Sequence, residues 1–353
     1  MSFCADKISV AHKILLIEGR NLGDAVIATG FLNSFGASFP GIEISVLTRS
    51  QFEPVFKNNP YITHYYFAQF PVGTDKHFGF KEAVQLSKML WQLRAMKFDA
   101  IINRTGDFRE ILLGMVVNRP GNMTIAWQKG HPFRKLVRSG LNFLATNIEV
   151  PAETVNIYKA QETLLHALGC CQVLQPRIWR EPITNDASPA PIGIHPFAGQ
   201  ECRKWPIANW LKVIRTLAQS GPVVIFCSPK EEQSARVVFR EVAGMPGVEI
   251  CAEPLDKFFG RLSACKLLIG LDSFSVHAAY SLSVPVVMIN GANDARIWLP
   301  PGSVAVEAER TCRFHPCYNK PRCAGAYDCM ADITVQQVLS AVEKRLAILE
   351  TPA

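Results

Sequence analysis

No run of 18 consecutive apolar residues occurs in this chain, although 48% of its 353 residues are hydrophobic, so no segment reads as a bilayer-spanning helix. The opening MSFCADKISVAHK lacks both the basic-then-apolar order and the small-residue cleavage site of a secretory signal. The expected compartment is therefore the cytoplasm. The first glycine-bearing turn, EGRNLGD, lacks the G-x-G-x-x-G spacing that brings backbone against a dinucleotide pyrophosphate, which speaks against a nicotinamide or flavin enzyme. No C-x2-C pair is present among the 11 cysteines. Scattered through a long chain without an export signal, they are expected to be reduced thiols, many of them buried. Charge is sparse, at 19% of residues, and uneven: residues 1–185 carry 20 Lys/Arg against 14 Asp/Glu, which leaves 17 against 16 for the rest of the +7 chain.

What is present is an alternation. KILLIEG is followed by DAVIATGFLNSFGASFP, IEISVLT by QFEPVFKNN, ITHYYF by KEAVQLSKMLWQLRAM, and FDAIIN by REILLGMVV. MTIAW adds a strand, and AETVNIYKAQETLLHALG closes the series with a helix. Short apolar runs alternating with helical patterns predict an α/β protein with parallel, doubly wound sheets. The pattern fails at QPRIWREPITNDASPAP, where four prolines and polar residues read as a linker. A second series then runs from PIGIHP to PVVMING, with KEEQSARVVFREVAG read as one of its helices, and TVQQVLSAVEKRLAIL forms a last helix that can pack on either domain. A chain of this length exceeds one ordinary core. The expected organisation is an N-terminal Rossmann-like domain over 1–175, a linker over 176–190 and a C-terminal Rossmann-like domain over 191–353, the two facing a cleft.

Ligands of open α/β sheets bind beyond the carboxyl ends of the strands, so the residues directly after each apolar run carry the functional information. Asp24, at the junction of EGRNLGD with its helix, is either a charge that complements the helix dipole or a functional carboxylate. Arg203 and Lys204, ahead of WPIANW, offer cations beside a helix start, an arrangement suited to a diphosphate. In LLIGLDSFSVHAAYSL, Asp272 and Ser273 end a buried strand and His277 lies one turn into the helix; Gly291, Asn293 and Asp294 follow the next strand. The segment QKGHPFRKLVRSG groups Lys129, Arg134, Lys135 and Arg138, which reads as a solvated helix face or as contact with an anionic lipid or membrane surface.

In their order, these pieces resemble the heptosyltransferase family of lipopolysaccharide core assembly, glycosyltransferase family 9. The likeness starts at EGRNLGDAVIATGFLNSFGASFPGIEISVLTRSQFEPVFKNNPYI and continues through RKWPIANW and IGLDSFSVHAAYSLSVPVVMING to CRFHPCYNKPRCAGAYDCM. The resemblance implies a GT-B type fold and an inverting, metal-independent transfer of heptose from ADP-heptose to a lipopolysaccharide core or related glycan. It makes Asp24 the base, and Arg203, Lys204, Asp272, Ser273, His277 and Gly291 the donor-binding set. Lys129, Arg134, Lys135 and Arg138 are assigned to the anionic acceptor, with peripheral contact at the inner membrane and no nucleic-acid partner. No cofactor is implied for catalysis. Three departures stand out: the family has lysine where this chain has Arg203, and glycine where it has Phe197 and Phe274. The two phenylalanines keep open a non-catalytic nucleotide-sugar or glycan-binding protein on the same fold, and a nucleotide-sugar epimerase is a further alternative.

Cys312, Cys317, Cys323 and Cys329 follow at C-x4-C-x5-C-x5-C spacing with His315 among them. Four thiols within this span suit either a structural zinc site or a loop of reduced, packed thiols.

Overall fold

The computed structural model describes residues 2–70, 78–105, 107–118, 123–128, 146–149, 156–180, 189–309, 312–318, 323 and 328–350. The chain divides into two units, Met1–Arg180 and Glu181–Ala353. The division falls inside the span read as a linker. Upstream of it the chain is tied to the first unit: Leu174 N–H donates to Ser34 Oγ, Arg177 N–H to Thr29 Oγ1, and Trp179 Nε1 to Asn33 Oδ1.

In the first unit, β1 (Lys13–Glu18), β2 (Glu43–Thr48), β3 (His64–Phe67), β4 (Ala100–Asn103), β5 (Met123–Gln128) and β6 (Thr146–Glu149) form a parallel sheet in the order β3-β2-β1-β4-β5-β6. The strand order reverses between β1 and β4, the switch point at which such sheets hold ligands. β1 is buried from Ile14 to Glu18, as its unbroken apolar run requires of a strand covered on both faces. The helix Leu22–Ser38 has no polar face: thirteen of its residues, Asp24 to Gly36, are buried. A helix apolar all round belongs in the interior, so its one carboxylate is buried with it.

The second unit repeats the arrangement with β7 (Ile192–His195), β8 (Val223–Phe226), β9 (Val248–Cys251), β10 (Leu267–Leu271), β11 (Val286–Ile289) and β12 (Val304–Val306), in the order β12-β11-β10-β7-β8-β9. Its core joins Ile192 and Ile194 of β7 and Leu267, Ile269 and Leu271 of β10 to the Trp210, Val213, Ile214 and Leu217 seam of the helix Ile207–Ala218. The last helix, Val335–Glu350, packs on this unit through Val338, Ala341 and Val342, against the helix Ile207–Ala218 and the β11 and β12 edge.

Three local expectations change. The span KEEQSARVVFREVAG makes two helices, Glu232–Val238 and Arg240–Ala243, with buried Phe239 between them. QFEPVFKNN makes only a short turn and the helix Glu53–Phe56. β6 and β12 are additional strands, both at sheet edges. Among the described residues no helix is long and apolar enough to cross a membrane.

Candidate active site

Asp24 is the third residue of the helix Leu22–Ser38, directly beyond the carboxyl end of β1, and is 9% exposed. Asn21 stands at the N-cap in extended conformation, but its side chain makes no capping bond. Instead its Nδ2 donates to Asp24 Oδ2 at 2.9 Å, which fixes the carboxylate.

A buried polar network underlies that carboxylate. Arg104, just past the end of β4, donates from Nη2 to Glu18 Oε2 at 2.9 Å and to the Asp24 carbonyl at 2.7 Å. Both ionic side chains of this pair are essentially inaccessible to water. The guanidinium is thus committed to Glu18 and to the backbone of Asp24, while among the described residues the Asp24 carboxylate makes no ion pair. Burial pushes Glu18 up to about 8, opposed by Arg104 and assisted by the negative charges of Glu110 and Asp24. Glu110 is raised as well, again by burial. Its carboxylate accepts from Gly19 N–H at 2.8 Å, Asn103 Nδ2 at 2.8 Å and Thr105 Oγ1 at 2.6 Å, which pins the β1 and β4 ends together. Gly19 admits no side chain: a Cβ there would lie 2.5 Å from the Phe70 ring.

In the second unit, Arg203 Nη1 donates to the Asp272 carbonyl at 2.9 Å and lies 3.9 Å from Asp272 Oδ2. Asn293 Nδ2 donates to the same Asp272 carboxylate oxygen. Asn290 Nδ2 in turn donates to the Asn293 carbonyl at 2.7 Å. Residues from the ends of β10 and β11 and from the turn after β7 are therefore joined around Asp272. The RKWPIANW stretch is anchored by Trp205, whose Nε1 donates to the Ile333 carbonyl at 2.9 Å and whose ring packs edge-on against Trp210. Ser273 stands in extended conformation at the start of the helix Phe274–Ser281, its Oγ 2.9 Å from Ser275 Oγ. A charged guanidinium beside the first N–H groups of a helix is an anion-binding arrangement.

The other members of the expected donor set are placed differently. Lys204 points its ammonium at Glu201, 2.5 Å away, on the surface. His277 is buried within its helix. Gly291 is needed for packing, since a Cβ there would lie 2.5 Å from Met330 Sδ and 2.8 Å from the Cys329 carbonyl oxygen. Lys129, Arg134, Lys135 and Arg138 lie outside the described residues.

Phe197 and Phe274 both pack on His195, the last residue of β7. Phe274 lies 5.7 Å and Phe197 6.4 Å from its ring, both edge-on, and Phe258 completes the box at 6.3 Å. Burial in this apolar box drives the imidazole down to about 4, and its Nδ1 finds no hydrogen-bond partner among the described residues. The late cysteines come near one another and near Cys202: burial, with the charges of Cys312, Cys317, Cys323 and Cys202, pushes the Cys329 thiol up to about 11. Among the described residues, however, no group of three or more His, Cys, Asp or Glu is disposed to hold a metal ion.

Arg104, Glu18, Glu110 and His195 are the buried groups that the reading of strand ends passed over. Arg104 follows β4 as Asp24 follows β1, so the same rule applied to FDAIIN finds it.

The family model of glycosyltransferase family 9 (heptosyltransferase) matches residues 86–324. The chain belongs to this family. Lipopolysaccharide heptosyltransferase 3 of Escherichia coli is 24% identical over 294 residues, covering 79% of this chain and 83% of the relative. Among solved structures, a family 9 glycosyl transferase from Veillonella parvula DSM 2008 superposes with a TM-score of 0.76 at 18% identity, over 98% of this chain and 99% of that one. The E. coli ADP-heptose lps heptosyltransferase II superposes with a TM-score of 0.72 at 18% identity, over 96% and 100%. The chain shares their fold over 96–98% of its length, and its activity class is that of a glycosyltransferase.

Proposed function

We propose that this heptosyltransferase moves a heptose from ADP-heptose to a hydroxyl of a lipopolysaccharide core or related envelope glycan, with inversion at the anomeric carbon. The observation that carries the reading is the state of Asp24: a carboxylate fixed by Asn21 at a strand end, with the nearby arginine committed to Glu18 and so not neutralising it. Asp24 accepts the proton of the attacking acceptor hydroxyl. The C1–O bond to the diphosphate breaks as the new glycosidic bond forms, and ADP leaves with the bonding pair. Arg203 and the N–H groups at the start of the helix Phe274–Ser281 stabilise the charge that grows on that diphosphate. Asp272 positions Arg203 and the loop around it. This cationic cradle supplies the role that a divalent metal plays elsewhere, so the transfer is assigned as metal-independent. Donor and acceptor are supported by family membership and by the lipopolysaccharide and ADP-heptose named in two relatives. The first unit is read as the acceptor side and the second as the nucleotide-sugar side, with the enzyme working in the cytoplasm at the inner membrane.

The test is a transfer assay with ADP-heptose and heptose-deficient core glycan, run in the presence of a chelator. The native protein is expected to turn over, and Asp24→Asn to bind ADP unchanged but transfer roughly 10²–10⁴-fold more slowly. Transfer by Asp24→Asn at close to the native rate would remove Asp24 from the mechanism.

A further inference from the structure

The helix Phe80–Ala95 presents two apolar faces where the fold uses only one. Leu86, Leu90 and Leu93 are buried in the first unit's core beside Leu15, Ile17 and Ile101. On the other side Phe80 is 86% and Trp91 70% exposed, with Val84 also exposed. At the helical advance of about 100° per residue, these three side chains fall within about 40° of each other and well away from the buried leucines. They form one stripe. Lys81 and Lys88 are exposed along its shoulder, and Lys97 follows the helix end. The single acidic residue of the helix, Glu82, is bonded to Gly79 N–H at the helix start. Arg94 donates to the Val116 carbonyl at 2.9 Å, so it ties in the neighbouring helix Phe108–Val117, where Leu112 and Val116 are exposed too.

Two large aromatic rings held in water serve neither the core nor the network around Asp24. An apolar stripe with aromatic side chains and flanking lysines has the composition of a helix lying in a membrane interface: rings at headgroup level, lysine stems along the apolar surface and ammonium groups at the phosphates. A second copy of this chain is a poorer occupant, because pairing the stripe with itself sets lysines against lysines. An anionic bilayer satisfies both the apolar and the basic parts. We propose that the helix Phe80–Ala95 docks the first unit on an anionic lipid surface, with Phe80, Val84 and Trp91 entering the headgroup boundary and Lys81, Lys88 and Lys97 meeting lipid phosphates. The inference stands whether or not the transfer reaction is as assigned.

The experiment is co-sedimentation of the full chain with vesicles of phosphatidylcholine alone and of phosphatidylcholine mixed with phosphatidylglycerol. The native protein is expected to sediment with the anionic vesicles and to be released by salt, and Phe80→Ser/Trp91→Ser to stay in the supernatant. Each of Lys81→Gln and Lys88→Gln is expected to weaken binding about fivefold at low salt. All four positions are exposed, and an unchanged circular dichroism spectrum and urea midpoint verify that the variants fold. Failure of the native protein to sediment with anionic vesicles, or equal sedimentation of the aromatic double variant, overturns the proposal. Self-association that depends on Phe80 and Trp91, without vesicle binding, assigns the face to a second copy instead and likewise overturns it.

Discussion

Arg104 holds the chemistry of the first unit together with one guanidinium. It bonds a glutamate that is wholly buried and grips the carbonyl of the residue assigned as base. Removing Arg104 leaves Glu18 protonated in the interior without its hydrogen-bond partner, which costs about 1–3 kcal/mol. Arg104→Met is therefore expected to lower the unfolding free energy by about that amount, read by urea denaturation. Arg104→Met/Glu18→Leu is expected to recover most of it. Equal losses in the single and double variants would mean that the pair is not what the guanidinium stabilises. At the level of single side chains the sequence was only partly legible. Asp24 announced itself as a carboxylate in an apolar helix start. Glu18 did not, because the last residue of a buried strand reads the same whether it faces water or an arginine 86 positions away. Lys204 looked equal to Arg203, yet only Arg203 reaches Asp272, since its neighbour is drawn to Glu201 on the surface.

Among elements, the βα order was readable because strands covered on both faces are continuous apolar runs. β6, with the sequence TNIE, and β12, three residues long, escaped because edge strands need neither property. The aromatic box around His195 joins three elements: the end of β7, the helix Leu255–Ser263 through Phe258, and the helix Phe274–Ser281 through Phe274. Sequence marked Phe197 and Phe274, but not that their rings turn onto one buried histidine. The box has a pH signature. With the imidazole depressed from 6.5 to about 4 in the fold, the unfolded chain takes up the proton first on acidification. The contribution is intact above the unfolded value and is lost as pH falls towards the folded one, in total of the order of 3 kcal/mol. Denaturation of the native protein at pH 7 and pH 5 is expected to show the larger part of this loss, and His195→Leu to show a smaller dependence. An identical pH dependence in the two would place the titrating group elsewhere.

For the whole molecule, family membership rests on a match from residue 86 to residue 324, and the two six-stranded parallel sheets give each unit a switch point at which functional residues collect. The excess of basic residues in the first half of the chain fits an anionic acceptor and an anionic surface. Everything proposed for the reaction turns on an adenosine diphosphate sugar held through Arg203, and calorimetric titration of the purified chain with ADP, UDP, GDP and CMP decides it. Selective binding of ADP is expected, weakened roughly tenfold or more in Arg203→Ala as a charge-assisted contact is lost. Tighter binding of another nucleotide, or ADP affinity unmoved by Arg203→Ala, would contradict it.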